Sequence, residues 1–600
     1  MLENVDRTLE ERLIAAIDPD RLRTHIDAFE GTVRESGTDD EWTASEYIVE
    51  TLESDGVDAT LHEYEGLISI PESASVTVTT PTRHEISEAI TTSFSASTAP
   101  GGEHAELVHL PEITEEATAA ADVAGKFVYT TGLPTPEPVC LLEDAGAAGA
   151  VFGSINEDEL HEMIVTPVWG TPSTETATEI PDLPVVEVSH DEGAWLAEHL
   201  ADGPVELNVT TEVTTELMTL PCPVGEVSGD SDRFFLVGNH VDSWHEGITD
   251  NATAMAATLE LARVLAEHED ELARGVRFGF WSAHSTGRYA GSAWYADEHW
   301  NDLRENGVGY LHLDLNGLRG AEELWYQHTP ELGDEHLDAL TVPDLRLPAD
   351  AQEELGLEEP DSGNDTEAAG DNFLGDDHLP GRNSDQSFWG AGMPSLLSGA
   401  RLQAGTKEGG PVGGGWWWHT PEDTADKVDY DVLTEETKLY LALCGRIAGS
   451  AVMPHDYAAS VADIVDALDE IEAAAGGAVE FDDLRGEAES LQATLEAVNT
   501  AIEEAESAES QQAAEDLQVA LGNALVPAEL KLESDYEHDP ALPQGRLPSL
   551  QGAAELAEAT GRGDDSSKRT SNAGARSSPT NFVERSGPPK RSSTNMASNP

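Results

Sequence analysis

The segment that decides the fold is FFLVGNHVDSWHEGITDNATAMAATLELARVL, residues 234–265. It begins with an apolar run, residues 234–237, of the kind found in strands that are buried on both faces of a sheet. Residues 252–268 then carry apolar side chains at helical spacing, so a strand leads through a polar loop into a helix. His240 and Asp242 lie two positions apart where the strand ends. Side chains at that spacing project to the same side of a sheet.

The alternation of strand and helix is repeated further along the chain. Apolar strands are predicted at residues 276–281 and 310–314, with a helix at residues 292–305 between them. Apolar strands that alternate with amphipathic helices predict an α/β fold, here a three-layer α/β/α domain with a mostly parallel mixed sheet. Ligands of such sheets bind beyond the carboxyl ends of the strands.

Two histidines and two aspartates stand at strand ends or in the loops that follow them. They are His240, Asp250 at the start of the helix, Asp314 after a later strand, and His419 after the glycine-rich turn GGGWWWH. Imidazole and carboxylate groups are suitable zinc ligands, and a neighbouring acid such as Asp242 can orient an imidazole. Each residue alone has an ordinary structural explanation, but their shared position predicts one metal site.

The charge of the chain excludes several classes of function. Its 600 residues include 31 Lys+Arg and 117 Asp+Glu, a formal net charge of −86. Such a surface repels phosphate backbones and anionic bilayers, so we expect no nucleic-acid partner and no membrane-surface role. The 12 Trp, 12 Phe and 11 Tyr indicate folded cores. Two explanations of the acidity stay open: a solvated halophilic surface, or an acidic face for a basic partner.

Cysteine usage and the amino terminus bear on the cellular compartment. Cys140, Cys222 and Cys444 lie far apart and support neither a disulfide framework nor a CxxC metal site. The amino terminus mixes charges throughout and has no apolar core of signal-peptide length, and no run approaches 18 consecutive apolar residues. We therefore expect a cytoplasmic protein, with unconventional export as the alternative.

Composition and periodicity divide the chain into several parts. Residues 1–95 begin with two predicted helices and a strand, residues 96–215 contain a compact α/β unit, and residues 216–453 contain the larger α/β unit. Residues 454–560 carry apolar side chains at steps of three and four, which predicts a helical domain. That domain either packs onto its own chain or forms a homodimer. Residues 561–600 are rich in Ser, Asn and Pro, which predicts a disordered tail.

Six segments within residues 230–450 follow one another in a recognisable order: HVDSW, TDNA, FWSAHSTGRYAGSAWYA, HLDLNG, RNSDQSFWGAGMPSL and WWWHTPEDTADKVD. In this order they resemble the co-catalytic zinc exopeptidases, the family of glutamate carboxypeptidase II, aminopeptidase Y and the transferrin receptor. The segments DVAGKFVY, LLEDAGAAGAVFGS and LPVVEVS are similar to the protease-associated (PA) domain that this family often carries. The resemblance therefore implies that residues 96–215 are a PA domain insert. The terminal helices resemble the dimerisation region of the family more weakly.

The resemblance implies a metal site and assigns its residues. His240, Asp250, Asp314 and His419 would be the metal ligands, and Asp250 would be the carboxylate that bridges two metals. Asp242 would act in catalysis by orienting His240. The cofactor would be zinc, as one or two ions, and Co²⁺ or Mn²⁺ also suits these ligands.

The sequence departs from the family at two consecutive positions. Where the family has a general-base Glu and a ligand Glu, this chain has His284 and Ser285. A serine hydroxyl is a poor zinc ligand, so His284, His245 or Glu246 would have to complete the site, while a histidine base can accept a proton near neutral pH. Three states stay open: two metals with His284 as base or substitute ligand, one metal on the first three ligands, or no metal.

The function that the resemblance implies is that of an aminopeptidase-like metallopeptidase, a hydrolase that cleaves peptides through a metal-bound hydroxide while His284 carries the proton. Asp385 and Trp418 are expected to contact the peptide substrate. Arg288 and Arg382 are each able to hold a carboxylate, and basic residues are scarce here. The alternatives are a catalytically inactive, receptor-like or protein-binding relative on the same scaffold, and a metal hydrolase acting on other amides.

Overall fold

The computed structural model describes residues 7–157, 159–357, 378–382 and 384–553, with the backbone alone at residue 503. Two sequence-based predictions lie outside these ranges. The disordered tail predicted at residues 561–600 is wholly outside. Residues 350–380 are rich in Asp, Glu and Gly, which predicts an exposed insertion, and most of them are outside as well.

The described residues form helices and strands in a mixed α/β order. The α-helices are α1 (Arg7–Ala15), α2 (Pro19–Phe29), α3 (Asp39–Ser54), α4 (Glu115–Ala120), α5 (Pro136–Asp144), α6 (His190–Asp202), α7 (Thr253–Ala266), α8 (Ala290–Glu298), α9 (Trp300–Asn306), α10 (Gly333–Ala339), α11 (Ala349–Glu354), α12 (Tyr430–Gly449), α13 (Tyr457–Ala474), α14 (Asp482–Glu503) and α15 (Ala508–Leu530). The strands are β1 (Asp58–Thr80), β2 (His84–Glu85), β3 (Ala89–Thr91), β4 (Glu103–His109), β5 (Phe127–Thr131), β6 (Gly149–Gly153), β7 (Val185–Val188), β8 (Val205–Val227), β9 (Phe234–His240), β10 (Gly275–Trp281), β11 (Gly307–His312), β12 (Glu323–His328) and β13 (Ser395–Arg401).

A single sheet connects all of these strands, in the order β12-β13-β11-β9-β10-β8-β4-β5-β6-β7-β3, with β1 paired to β8 and β2 paired to β1. The long strands β1 and β8 have 23 residues each and pair antiparallel from Asp58↔Glu226 to Thr80↔Glu206. At one end β8 pairs with β10, and at the other end it pairs with β4. The predicted boundary between residues 215 and 216 thus lies inside β8, and the two α/β units share one ribbon.

The larger α/β unit contains the parallel strands β10, β9, β11 and β13, which confirms the mostly parallel mixed sheet. Helix α7 is buried on nearly every side because it packs on this sheet and also contacts α2 and α12. A helix that is apolar all round is expected in such an enclosed position. The helix predicted at residues 292–305 is two helices, α8 and α9, which meet at His299.

The smaller α/β unit has parallel strands β4, β5, β6 and β7. Two hydrophobic clusters fill it, one on each side of the sheet, with Phe127 and Val186 in one and Val128 and Val185 in the other. Neighbouring strand residues alternate between the two clusters, as the two-residue period of a strand requires. Its assignment as a PA domain stays a prediction.

The predicted helices after the larger unit are α13, α14 and α15. The apolar stripe of α14 is divided: Leu495 and Ile502 are buried, whereas Leu484 and Leu491 are 47% and 37% exposed. Helix α15 packs on the larger unit of its own chain, near Trp389. The homodimer stays a prediction. Among the described residues, no helix is both long enough and apolar enough to cross a lipid bilayer.

Candidate metal centre

The four predicted metal ligands meet beyond the carboxyl ends of the parallel strands. His240 is the last residue of β9, and Asp314 follows the end of β11 by two positions. Asp250 lies in the loop before α7, and His419 lies in the loop between β13 and α12. Asp250, Asp314 and His419 line one cavity, and His240 lies directly behind the two carboxylates. The edge where such sheets bind ligands therefore holds all four side chains.

Asp250 lies between the two histidines. Its Oδ1 is 3.0 Å from Nε2 of His240, and its Oδ2 is 3.1 Å from Nε2 of His419. The loop is held from behind by Asp423, whose carboxylate accepts hydrogen bonds from the backbone N–H groups of Thr249 and Asp250. One carboxylate oxygen for each imidazole is the arrangement that a bridging ligand requires.

Asp314 presents one oxygen to the site and turns the other away from it. Its Oδ1 is 3.5 Å from Nε2 of His240. Its Oδ2 accepts a hydrogen bond from Ser384 Oγ at 3.3 Å and lies 3.5 Å from Nε2 of His312. The two outer partners fix the carboxylate so that Oδ1 faces His240.

Both histidines present Nε2 to the acids because a backbone carbonyl occupies the other ring nitrogen. Nδ1 of His240 donates to the carbonyl of Asp242 at 2.8 Å, and Nδ1 of His419 donates to the carbonyl of Glu162 at 2.6 Å. A carbonyl only accepts, so Nδ1 carries the proton in each ring and Nε2 keeps its lone pair for a cation. Glu162 belongs to the smaller unit, which therefore takes part in the site.

Two buried atoms of this cluster lack a hydrogen-bond partner among the described residues. They are Nε2 of His240, which is near Asp250 without a well-directed hydrogen bond, and Oδ1 of Asp314. Buried polar atoms without partners are rare in native structures and often face an unseen ion or water. The donor set of two imidazoles and two carboxylates matches the ligands of zinc. The residues present therefore fit a metal ion.

His284 lies against this cluster. Its ring stacks on the ring of His240 with centroids 3.9 Å apart, and the two rings and Asp314 form a group whose ligand atoms lie within 4.8 Å of one another. His245 and Glu246 lie outside that group: His245 is 3.8 Å from Glu162, and Glu246 accepts a hydrogen bond from a backbone N–H. Of the three predicted substitutes, His284 is therefore the one near the cluster in the described part of the chain.

Comparison with known sequences agrees with this geometry. Residues 224–444 match the sequence model of Peptidase family M28. The match contains all four predicted ligands and confirms the resemblance drawn from the motifs.

Two curated relatives are also similar to this chain. The chain is 27% identical over 432 residues to the probable lipoprotein aminopeptidase LpqL of Mycobacterium tuberculosis, covering 69% of this chain and 80% of the relative. It is 31% identical over 131 residues to the aminopeptidase NAALADL1 of Mus musculus, covering 21% of this chain and 17% of the relative. The chain thus spans most of the first relative and under a fifth of the second.

A solved structure shares the fold. The aminopeptidase from Aneurinibacillus sp. strain AM-1 superposes with a TM-score of 0.52 at 20% identity, covering 74% of this chain and 96% of that one. At this identity the likeness concerns the fold.

The electrostatics of the candidate metal site favour a cation. Burial alone would lower the pKa of His240, but the two neighbouring carboxylates raise it well above its usual value. Burial alone would raise the pKa values of Asp250 and Asp314, but the adjacent histidines lower both. Strong opposing effects on clustered titratable groups are typical of functional sites. The acids are therefore held ionised where a metal would need them.

Asp242 differs from its predicted role in one respect. Its backbone carbonyl, and not its carboxylate, accepts the hydrogen bond from His240, since the carboxylate is 3.8 Å from Nδ1. The carboxylate instead accepts hydrogen bonds from the backbone N–H groups of His284 and Ser285 and from the hydroxyl of Ser36. Asp242 thus positions the loop that carries the altered pair.

Asp385, predicted to contact substrate, is fully buried behind His284 and does not line the cavity. Its Oδ2 is 2.6 Å from Nδ1 of His284, and its Oδ1 accepts a hydrogen bond from Ser292 Oγ at 2.6 Å. Burial alone would raise the pKa of Asp385, but His284 and other partners lower it. Its contact is with the imidazole and not with the cavity, because the RNSDQSF segment passes behind the loop of His284.

Trp418 lines the cavity, and its ring stacks on His419 with centroids 3.7 Å apart. Its contact with the substrate stays a prediction. Arg382, considered for carboxylate binding, instead forms an ion pair with Asp539.

Two residues of the site were not predicted from the sequence: Glu162, which fixes His419, and Asp423, which fixes the loop of Asp250. Asp423 lies within the quoted WWWHTPEDTADKVD motif, so its position was a usable signal, whereas Glu162 offers only a backbone atom and gives no sequence signal.

Proposed function

We propose that the chain is a metal-dependent exopeptidase of aminopeptidase type, with zinc as its cofactor. The observation that carries the proposal is the carboxylate of Asp250 between His240 and His419, with Asp314 alongside and unpartnered atoms facing one another. The M28 match and the aminopeptidase names of LpqL and NAALADL1 support it.

The metal would be held by His240, Asp250, Asp314 and His419. When bound, zinc supplies a Lewis acid that polarises the scissile carbonyl and lowers the pKa of water. His284 moves the proton: Asp385 holds its Nδ1, so Nε2 is free to accept a proton from the attacking water and return it to the leaving amine. Asp242 keeps this loop in place through two backbone N–H groups.

The first prediction concerns metal content. We expect the protein purified in molar salt to contain about two zinc ions per chain, because the carboxylate of Asp250 lies between two imidazoles, those of His240 and His419. His419→Ala should lose one of them, since it removes one imidazole beside Asp250. Elemental analysis of both proteins measures this, together with release of amino acids from peptides before and after chelation. Near-zero metal and no hydrolysis would contradict the proposal and favour the receptor-like alternative, which the replacement at Ser285 suggests.

The second prediction concerns Asp385. Asp385→Asn should lower kcat by about 10- to 100-fold, because a group that orients a working imidazole typically contributes that much. The amide keeps the shape of the side chain but removes the charge that holds His284. Asp482→Asn, at an exposed position on α14, is the matched control and should leave kcat unchanged. Equal kcat values in wild type, Asp385→Asn and Asp482→Asn would show that His284 does not need the charge of Asp385.

Four further features belong to this proposal. Residues 96–215 are proposed to be a PA domain, supported by their α/β unit and by the contact of Glu162 with His419. The acidic surface is proposed to be a halophilic adaptation. The cytoplasmic location and the homodimer through the C-terminal helices stay predictions, and the LpqL relative is named a lipoprotein.

A further inference from the structure

Arg288 is a buried cation in the wall of the active-site cavity. Its side chain belongs to the same cavity lining as Asp250, His284, Asp314 and His419. The residue is only 6% exposed, and its backbone is left-handed, with φ +49°. Non-glycine residues in this conformation are uncommon and tend to occur at functional sites.

Arg288 lacks the partners that the comparable arginines have. Four arginines are at least nine-tenths buried among the described residues, and the guanidinium groups of three of them bind carboxylates or backbone carbonyls, although Nε of Arg274 lacks a hydrogen-bond partner, as Nε of Arg288 does. Arg34 donates to three backbone carbonyls, Arg274 pairs with Glu515, and Arg446 pairs with Glu10 and Glu335. For Arg288 no described carboxylate lies within 4.0 Å, and its buried Nε has no hydrogen-bond partner in the described part of the chain. Its guanidinium instead lies 4.9 Å from the ring centroid of Tyr289.

An unpaired guanidinium is costly in this position. A buried charge without a partner is strongly destabilising. The burial of the Arg288 guanidinium therefore implies that a bound ligand supplies its negatively charged partner. The chain has 117 acidic residues, yet none of those described pairs with Arg288. The other arginine in the cavity wall, Arg401, is occupied by the backbone carbonyls of Asp314 and Leu315. Of these two arginines, Arg288 is therefore the one whose guanidinium N–H groups are available to bind a ligand.

We infer that Arg288 binds a carboxylate of the substrate close to the scissile amide, so that the site prefers acidic peptides. A guanidinium matches a carboxylate with two parallel hydrogen bonds, and no other common peptide group accepts both. This inference rests on the proposed peptidase function. Two sources of the carboxylate fit the same chemistry: the terminal carboxylate of a dipeptide, and the side chain of Asp or Glu in either position beside the scissile bond.

The test compares peptides that differ only in where a carboxylate stands, with full-length protein as purified. They form three pairs: Ala-Leu and Ala-Leu amide, Ala-Glu amide and Ala-Gln amide, and Glu-Leu amide and Gln-Leu amide. We expect one carboxylate position to raise kcat/KM by about 10- to 100-fold over its neutral counterpart, the usual contribution of a hydrogen-bonded charge. Which peptide gains identifies the source. Arg288→Leu should abolish the preference, and Arg288→Lys should keep only part of it because a point charge lacks the fork.

A binding measurement separates this inference from the proposed function. Titration calorimetry measures carboxylate recognition without turnover, with acetyl-leucine against acetyl-leucinamide, and with the α-amide of acetyl-glutamic acid, which keeps its side-chain carboxylate, against acetyl-glutamine amide. Arg319→Leu, at a site 60% exposed, is the control and should behave as wild type. Preferential binding of an acid that is lost in Arg288→Leu supports the inference even if nothing is cleaved, in which case the peptidase proposal alone fails. The inference is overturned if wild type cleaves or binds the peptides with no preference for a carboxylate. It is also overturned if the preference survives in both Arg288 variants. Thermal unfolding checks that each variant is folded. If Arg288→Leu does not fold, Arg288→Lys is used to test whether the carboxylate preference is reduced.

Discussion

Replacing His284 with alanine is expected to lower kcat by about 10²- to 10⁴-fold, the usual contribution of a positioned acid-base group. The structure gives the reason, because Asp385 engages Nδ1 and the ring lies flat against His240 at the cluster. Steady-state hydrolysis of a peptide measures the loss, and circular dichroism checks the fold. The loss should exceed that of Asp385→Asn, because the second variant retains the imidazole.

Metal analysis of the same variant separates the two roles of His284. If the side chain is only the base, His284→Ala keeps its zinc while turnover falls. If the side chain is a substitute ligand instead, as its place beside His240 and Asp314 allows, the metal content falls together with turnover. His104→Ala, at an exposed histidine of β4, is the control and should retain activity and metal. Wild-type activity in His284→Ala would remove His284 from the mechanism.

The second large effect is expected from Asp250→Ala. The carboxylate is the contact shared by His240 and His419, so its removal takes a ligand from every metal that the site holds. We expect metal content to fall below half of wild type. A metal contributes several kcal/mol to stabilising the transition state, so kcat should fall by at least about 10³-fold.

Two variants make the Asp250 result specific. Asp250→Asn keeps the shape of the side chain but removes its charge, and should also lose metal because a neutral amide is a weaker zinc ligand. Asp426→Ala, at an exposed position seven residues after His419, removes an acid that is not part of the cluster and should retain both metal and activity. Full metal content in Asp250→Ala would contradict the placement of the ion.

The sequence was sufficient for the elements that carry the site. The apolar run of β9 and the helical spacing of α7 predict a strand, a loop and a helix, and parallel strands must bring their carboxyl ends to one edge. His240, Asp250, Asp314 and His419 could therefore be placed near one another before any coordinates. Such an inference depends on periodicity and chain direction, both of which are local properties of the sequence.

The orientation of the side chains in the site could not be predicted in the same way. Which group faces Nδ1 of His240 depends on how the backbone turns after β9, and that turn places the carbonyl of Asp242 nearer than its carboxylate. The burial of Asp385 depends on where a segment 101 residues away from His284 crosses the sheet. Glu162 contributes a backbone atom, which every residue possesses, so no side-chain pattern marks it.

The ribbon of β1 and β8 has a consequence for any attempt to study the two units apart. At roughly 3.3 Å per residue, each strand is about 75 Å long and passes through both units without a break. A cut at the predicted boundary near residue 215 would divide β8 and leave unpaired backbone along β1, a surface that promotes aggregation. It would also separate His419 from the carbonyl that sets its tautomer. We therefore expect a fragment that contains only the larger unit to aggregate and to lack a complete metal site.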